Sequence, residues 1–442
     1  MSLRWLFPRP ARATPGPRRR RLRVLLSVAL ALTGLGLAGW QLGAWVLERP
    51  IPWTGTLPRA CGFRVDSAFR KDLGRLRAQV GSIMESRRVP GMAVVVGIHG
   101  RVVYKEGFGW ANPERRISAC PGTQFRAASL SKAFTAAALG RLVERGALDL
   151  DAPIQRYVPS FPDKGDTITA ALLASHRGGI RDYRDDWEAI NHTHYESVTA
   201  SLSAFANDPL AAPPGTRFVY SGYGFVLLSA AIESAAGEDY LTHMRRAVFD
   251  PLGMTSTVPD DPRLALPDRA ESYDTETPFS MDGSLVRSPD NDFSNKWAAG
   301  GFLSTAEDLV RFGSAFLPSR ARSAEPFLAP ATIALLTRPR SGFPPLMGYG
   351  MGWLSMRDLH LRRVYAQFGA SSGGTAMIAV YPRSGVVVGV MANLGHAKYP
   401  MRQLLNIVRP FLPGPPVDTV VVTLLAPILL FVAWRVLPPR GP

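Results

Sequence analysis

Two strand-rich stretches near opposite ends of a long central region constrain this chain more than any other feature. The first, "MAVVVGIHGRVVYKEGFGW", reads as a hairpin turning at His99-Gly100, because β-branched residues flank a two-residue turn signal. The second group comprises "GMGWLSM", "RRVYAQFG", "TAMIAVYP" and "GVVVGVMAN", the last two joined at Pro382-Arg383-Ser384-Gly385. A helix flanks each group. Asp66 to Arg88 carries Phe69, Leu73, Leu76, Val80 and Ile83 at helical spacing, and Tyr399 to Phe411 precedes an "LPGPP" linker. The long middle reads as helical, with loops rich in proline and aspartate. Strands from both ends then make one antiparallel sheet flanked by helices, and the middle makes a second, helical lobe. That is an α/β (α+β) architecture, and it brings the two ends of the chain together.

The ends carry most of the charge. The 442 residues have a net charge of +16, which invites a nucleic-acid reading. Eight arginines precede residue 24 without an acid among them, however, and Arg435 and Arg440 lie in the last eight residues. Without those ten the remainder carries only +6, so no nucleic-acid partner is expected. Between the basic tail and Glu48, residues 24–47 hold no charge and are long enough to cross a bilayer. A second apolar run, 419–437, contains Pro427, which membrane helices tolerate, and one charge, Arg435. Basic residues at the outer end of both runs stay in the cytosol under the positive-inside rule, which puts the intervening chain in the periplasm of a bacterial source. The first run also has the alternative of a cleaved signal peptide, and the second that of a buried core helix. Gly39 and Gly43 form a weak G-x-x-x-G packing signal between such spans. Cys61 and Cys120 are the only cysteines; the sequence leaves open whether they pair.

Two serines compete as the reactive group. In "FGASSGG", Gly369-Ala370-Ser371-Ser372-Gly373 matches G-x-S-x-G, the pattern of a strained turn exposing a nucleophile. Such an elbow needs a helix straight after the serine, then an acid and a histidine. Here β-rich "GGTAMIAVYP" follows, and His396 comes with no acid between it and Ser371. The other candidate lies in "FRAASLSKAFTAAALGRLVERGALDL". Ser129 and Lys132 stand three apart at the start of a helix that runs to a C-cap at Gly146. That spacing puts both on one face, and the helix N-terminus favours negative charge on the serine oxygen. A lysine can take the hydroxyl proton, whereas an arginine cannot. The chain has 45 arginines and only six lysines, so a lysine here is informative.

With its flanks, "FRAASLSKAF" resembles the first motif of the serine β-lactamase and penicillin-binding protein superfamily, in its class C and esterase-like branch. "LLASHRGGIRDY", "PPGTRFVYSGYGFVLLSAAIE", "DPLGMTST", "WAAGGFLSTAEDLVRFG" and "GYGMGW" continue the resemblance in order. Several of these blocks are also similar to those of mitochondrial β-lactamase-like serine proteases. The resemblance implies a β-lactamase/transpeptidase-like fold and acyl transfer without metal or cofactor. Ser129 is the implied nucleophile, with Lys132 and Tyr220 sharing the proton transfers. The oxyanion is expected between the N–H of Ser129 and one from the edge strand, where the family's [KH]-[TS]-G is matched to Ser371-Ser372-Gly373 and Gly374 supplies the N–H. Two departures bear on substrate. Ser371 replaces the cationic residue that would bind a substrate carboxylate, and Tyr220-Ser221-Gly222 lacks the asparagine of Y-x-N. β-Lactam hydrolysis is therefore doubtful, and an ester, a peptide or another amide is expected.

The expected organisation is a basic cytosolic tail (1–23), a transmembrane helix or signal anchor (24–47), a linker (48–60), a β-lactamase-related domain (61–412), a second linker (413–418) and a second transmembrane helix (419–437). The alternative function is a catalytically weak or inactive scaffold on the same fold. His192 and His194 form an H-x-H without an evident third ligand, so no metal is expected. His176 reads as a loop or helix-end partner.

Overall fold

A computed structural model of the chain describes residues 60–412 except 276–283, 319–324, 344–346, 359 and 397–406, together with Thr33 and Gly36. The chain divides into two units, Met1–Arg49 with Pro413–Pro442, and Pro50–Leu412. All the described strands lie in the second. The apolar runs 24–47 and 419–437 lie outside the described residues apart from Thr33 and Gly36. Among the described residues no helix is long and apolar enough to cross a membrane.

Strand β1 (Ala60–Val65) leads through a 3-10 turn at Ser67–Asp72 into helix α1 (Leu73–Arg87). The helix expected from Asp66 thus begins one turn later. Strands β2 (Gly91–Ile98) and β3 (Arg101–Asn112) form the expected hairpin, and β4 (Ile117–Ser118) pairs with β3. His99 and Gly100 both have positive φ, 51° and 80°, the conformation that matches a two-residue turn to the twist of its strands.

The middle of the chain contributes helix α2 (Ser131–Glu144) and helix α3 (Gly222–Ala236). Helix α3 starts where Ser221 Oγ accepts the Gly224 N–H (2.8 Å) and stops at left-handed Gly237. Strands β5 (Phe125–Arg126), β6 (Val258–Pro259) and β9 (Phe302–Ser304) make a small sheet, and β7 (Tyr273–Thr275) pairs with β8 (Leu285–Arg287). Helix α4 (Ala306–Ser314) is capped by Thr305.

Strands β10 (Ser341–Phe343) to β15 complete the main sheet: β11 (Met347–Tyr349), β12 (Leu354–Arg357), β13 (Arg363–Ser371), β14 (Gly374–Tyr381) and β15 (Val386–Ala392). The order is β1-β3-β2-β15-β14-β13-β12-β11-β10, with every neighbouring pair antiparallel. β2 pairs with β15, so strands from the two ends meet at the centre of the sheet. Alternation along the strands explains the layering. Val94, Val96, Val388 and Val390 face Leu76, Val80 and Ile83 of α1. Ala93, Val95, Ile378 and Val387 face Leu309, Val310 and Phe312 of α4 and the helical lobe. Each fully buried valine or leucine contributes roughly 1.5–3 kcal/mol relative to exposure.

The strand expected from "GMGWLSM" is interrupted. Gly350–Trp353 leaves the sheet between β11 and β12 and tucks beneath α2. A β-carbon on Gly352 would lie 2.7 Å from the Lys132 carbonyl, so only glycine allows this approach. The final helix is described only from Ile407, and Phe411 packs on Phe69 at 4.9 Å between ring centroids. Cys61 and Cys120 are joined by a disulfide that ties β1 to the loop after β4.

Candidate active site

Ser129 sits in a 3-10 turn, Ala128–Leu130, that runs directly into α2. Ala128 has φ +49°, a conformation rare for a residue with a β-carbon, and the tightly packed neighbours hold it there. One turn on, Lys132 is 1% exposed. Its Nζ donates to Ser129 Oγ (3.1 Å) and to the Ala299 carbonyl (2.7 Å). Tyr220 precedes the cap of α3, and its hydroxyl donates to Ser129 Oγ at 2.8 Å. Lys132 Nζ lies 4.9 Å from the centre of the Tyr220 ring. The structure thus brings Ser129, Lys132 and Tyr220 together from two helix starts 91 positions apart.

His176 supports Tyr220 from behind. It is buried, its ring lies 4.4 Å from that of Tyr220, and its Nδ1 accepts the Ser221 N–H at 3.1 Å. Burial, reinforced by the charge of Lys132, holds its pKa well below the usual histidine value. A neutral imidazole serving the start of α3 agrees with a structural part.

The edge of β13 forms the opposite wall. Gln367 Nε2 donates to the Ser129 carbonyl at 3.3 Å and to Tyr349 Oη at 3.2 Å. At Gly369 the strand presses against the Ser129 turn so closely that a β-carbon would stand 2.0 Å from the Ala127 carbonyl oxygen. Ala370, Ser371 and Ser372 follow and line a cleft of about 600 Å³, together with Ser129, Lys132 and Tyr220.

This placement corrects the expectation for the turn. Ser372 and Gly373 are the two residues of the β13–β14 hairpin, with Ser371 opposite Gly374. The Gly373 N–H donates to Asp274 Oδ1 (3.2 Å), and Ser372 Oγ donates to Asp274 Oδ2 (2.8 Å). Gly374 is buried, its Cβ position 2.4 Å from Arg126 Cβ. Neither Gly373 nor Gly374 is among the described residues that line the cleft. The strand position beside the Ser129 turn is therefore Gly369-Ala370, and the hairpin beyond it is clamped by Asp274 and by Arg126 Nη1 on the Ser372 carbonyl (3.0 Å). Ser371 Oγ donates to its neighbour's carbonyl at 3.3 Å.

Sequence reasoning missed the remaining wall. Asp182, Tyr183 and Lys296 line the cleft on the side of Gly222. Asp182 Oδ1 accepts the Gly222 N–H at 2.7 Å. The space an asparagine would need at position 222 is filled, because a β-carbon there would lie 2.8 Å from Tyr183 Oη. Burial pulls the Lys296 ammonium down to about 7. Its rarity in an arginine-rich chain was the one available signal.

His194 Nδ1 pairs with Asp292 Oδ2 at 2.8 Å, while His192 is exposed. Among the described residues no group of three or more His, Cys, Asp or Glu is arranged to hold a metal ion.

Comparison with known proteins identifies the family of this fold. The family described as Beta-lactamase matches residues 76–407. The chain is similar to the human serine beta-lactamase-like protein LACTB, mitochondrial, with 28% identity over 448 residues, covering 78% of this chain and 80% of that protein. It is also similar to penicillin-binding protein 4* of Bacillus subtilis, with 26% identity over 64% of this chain and 63% of that one. Among solved structures, the octameric penicillin-binding protein homologue from Pyrococcus abyssi superposes with a TM-score of 0.65 at 26% identity, over 76% of each chain.

Proposed function

The chain belongs to the beta-lactamase family, and from that premise we propose that it is a serine hydrolase acting through an acyl-enzyme on Ser129. One observation carries the reading: Ser129 Oγ is held at once by Tyr220 Oη (2.8 Å) and Lys132 Nζ (3.1 Å). As Ser129 attacks a carbonyl, its proton passes to the Lys132–Tyr220 pair. That pair then returns a proton to the leaving group. The oxyanion forms between the Ser129 N–H at the start of α2 and the Ala370 N–H on β13, where backbone donors are fixed in advance. Water, activated by the same pair, releases the acyl group.

The substrate is an ester, a peptide or another amide. Along the segment of β13 nearest the nucleophile, Gln367 to Ser371, no lysine or histidine is present, which argues against penicillins and D-alanyl peptides as the preferred substrates. The uncharged runs with basic outer flanks support a membrane-attached protein. The Cys61–Cys120 disulfide supports an oxidising compartment for the catalytic unit, the periplasmic side of a bacterial inner membrane.

A fluorophosphonate probe tests the hydrolase reading. Labelling of the wild-type protein that is lost in a folded Ser129→Ala variant supports it. Absence of labelling by this probe and by a fluorescent penicillin, in folded protein, overturns it in favour of a scaffold. A panel of ester, peptide and cephalosporin substrates then ranks the electrophile.

A further inference from the structure

Lys296 is a buried cation that the acyl-transfer reaction does not use. Its side chain lines the same cleft as Ser129, and the residue is only 6% exposed. An ammonium has three N–H donors. Among the described residues one acceptor is found for them, the Ala189 carbonyl. The Nζ otherwise faces aromatic rings, 5.1 Å from the centre of Tyr183 and 5.3 Å from that of Phe293.

The charged groups that act on Lys296 are engaged with other partners. Arg126 is bound to Asp260 and to the Ser372 carbonyl. Asp182 Oδ1 holds the Gly222 N–H. Asp292 holds His194 and the Ser294 N–H. None of these lies close enough to Lys296 to form an ion pair among the described residues. A buried charge without a partner is unfavourable, so such a group either loses its proton or waits for an anion.

The neighbouring wall reinforces this. Tyr183 fills the space beside Gly222 and its ring centre lies 5.1 Å from the Lys296 Nζ, and all three residues line the cleft.

We propose that Lys296, backed by Tyr183, is a specificity-determining residue that binds a carboxylate on the substrate, so that the cleft selects esters or amides carrying an anionic group near the scissile bond. This rests on the serine-hydrolase reading for its kinetic test, but not for its binding test. It also places the cation on a different wall from β13.

Two pairs of esters test it. The first is the mono-p-nitrophenyl ester of glutaric acid against the same ester with its carboxylate methylated. The second is the butyrate ester of 4-hydroxybenzoate against that of methyl 4-hydroxybenzoate. In one pair or the other, kcat/KM favours the carboxylate form by roughly tenfold or more, and Lys296→Met brings the ratio close to one. Because the ratio compares two substrates on the same catalytic groups, it also declines as pH rises through about 7, where the free amine loses its charge. No preference in either pair, or a preference that survives Lys296→Met, overturns the proposal.

Glutarate alone supplies a test independent of turnover and of the variant's folding. It raises the melting temperature of the unmodified protein and its neutral dimethyl ester does not; equal effects overturn the proposal. If Ser129 proves unreactive, glutarate binding still decides the role of Lys296.

Discussion

Tyr220 Oη and Ser129 Oγ lie 2.8 Å apart, one from the residue before the cap of α3 and the other from the turn that opens α2. Two separate helices must therefore keep their relative position for Tyr220 to reach Ser129. Ser129→Ala is expected to reduce hydrolysis by at least about 10³-fold. Tyr220→Phe and Lys132→Arg are each expected to lose roughly 10²–10⁴-fold, the arginine because it keeps charge without acting as a base. Steady-state kinetics with matching circular dichroism spectra check all three.

Restoring the asparagine missing after Tyr220 is expected to harm the protein. Gly222→Asn drives a β-carbon into the Tyr183 hydroxyl and costs about 1–3 kcal/mol. The double variant Gly222→Asn with Tyr183→Ala recovers part of that loss, since the second change empties the space. Urea denaturation of the two single variants and the double variant measures the coupling.

Gly369→Ala separates the sheet from the nucleophile turn. The added methyl meets the Ala127 carbonyl oxygen at 2.0 Å and the Leu130 nitrogen at 2.9 Å, both backbone atoms that cannot rotate away. The expected result is a fall in kcat larger than any change in KM, because displacement of the Ala370 N–H acts on the transition state. By contrast, Ser371→Ala leaves kcat within a few-fold, as its hydroxyl only contacts the next carbonyl. Parallel kinetics on the two variants distinguish a wall from a nucleophile.

Two buried bases give stability opposite pH windows to act in. The folded pKa of His176 lies well below its unfolded value of about 6.5, so below that pH the unfolded chain takes up a proton the folded one refuses. Stability is therefore lost as pH falls from about 6.5, with a slope of up to about 1.4 kcal/mol per pH unit, and His176→Gln flattens it. Lys296 is lowered from 10.5 to about 7. Its contribution makes stability rise with pH between those values, so Lys296→Met stabilises the protein more at pH 7 than at pH 10. Melting temperatures measured across both windows separate the two groups.

Much of the frame was legible because it depends on local pattern. The His99-Gly100 turn, the paired valine strands and the spacing of Ser129 with Lys132 follow from sequence periods of two and of three to four. The far wall of the cleft was not. Which residue of β13 meets the nucleophile turn is a matter of register against a loop 238 positions away, and a glycine-rich hairpin just beyond drew attention to itself. The gap left at Gly222 shows the same limit. The missing asparagine could be read directly, but not that Tyr183 occupies its place, since the contact joins a loop to the start of α3. Lys296 looked like an ordinary lysine, because the sequence shows neither its burial nor how few acceptors surround it.

The pairing of β2 with β15 has a consequence for how the protein is made. Ser129, Lys132 and Tyr220 leave the ribosome well before Ala370, because Gln367 beside it is 238 positions downstream of the serine it touches. At a synthesis rate of roughly 5–20 residues per second, Ser129 exists for tens of seconds without the opposite wall of its cleft. The central pairing also waits for Val386–Ala392, since Gly91 is held by the side chain of Asn393. A nascent chain that has not yet reached Val386–Ala392 thus carries Ser129 in an incomplete cleft, and on the proposed reading acyl transfer waits for β13 and β15 to join the sheet.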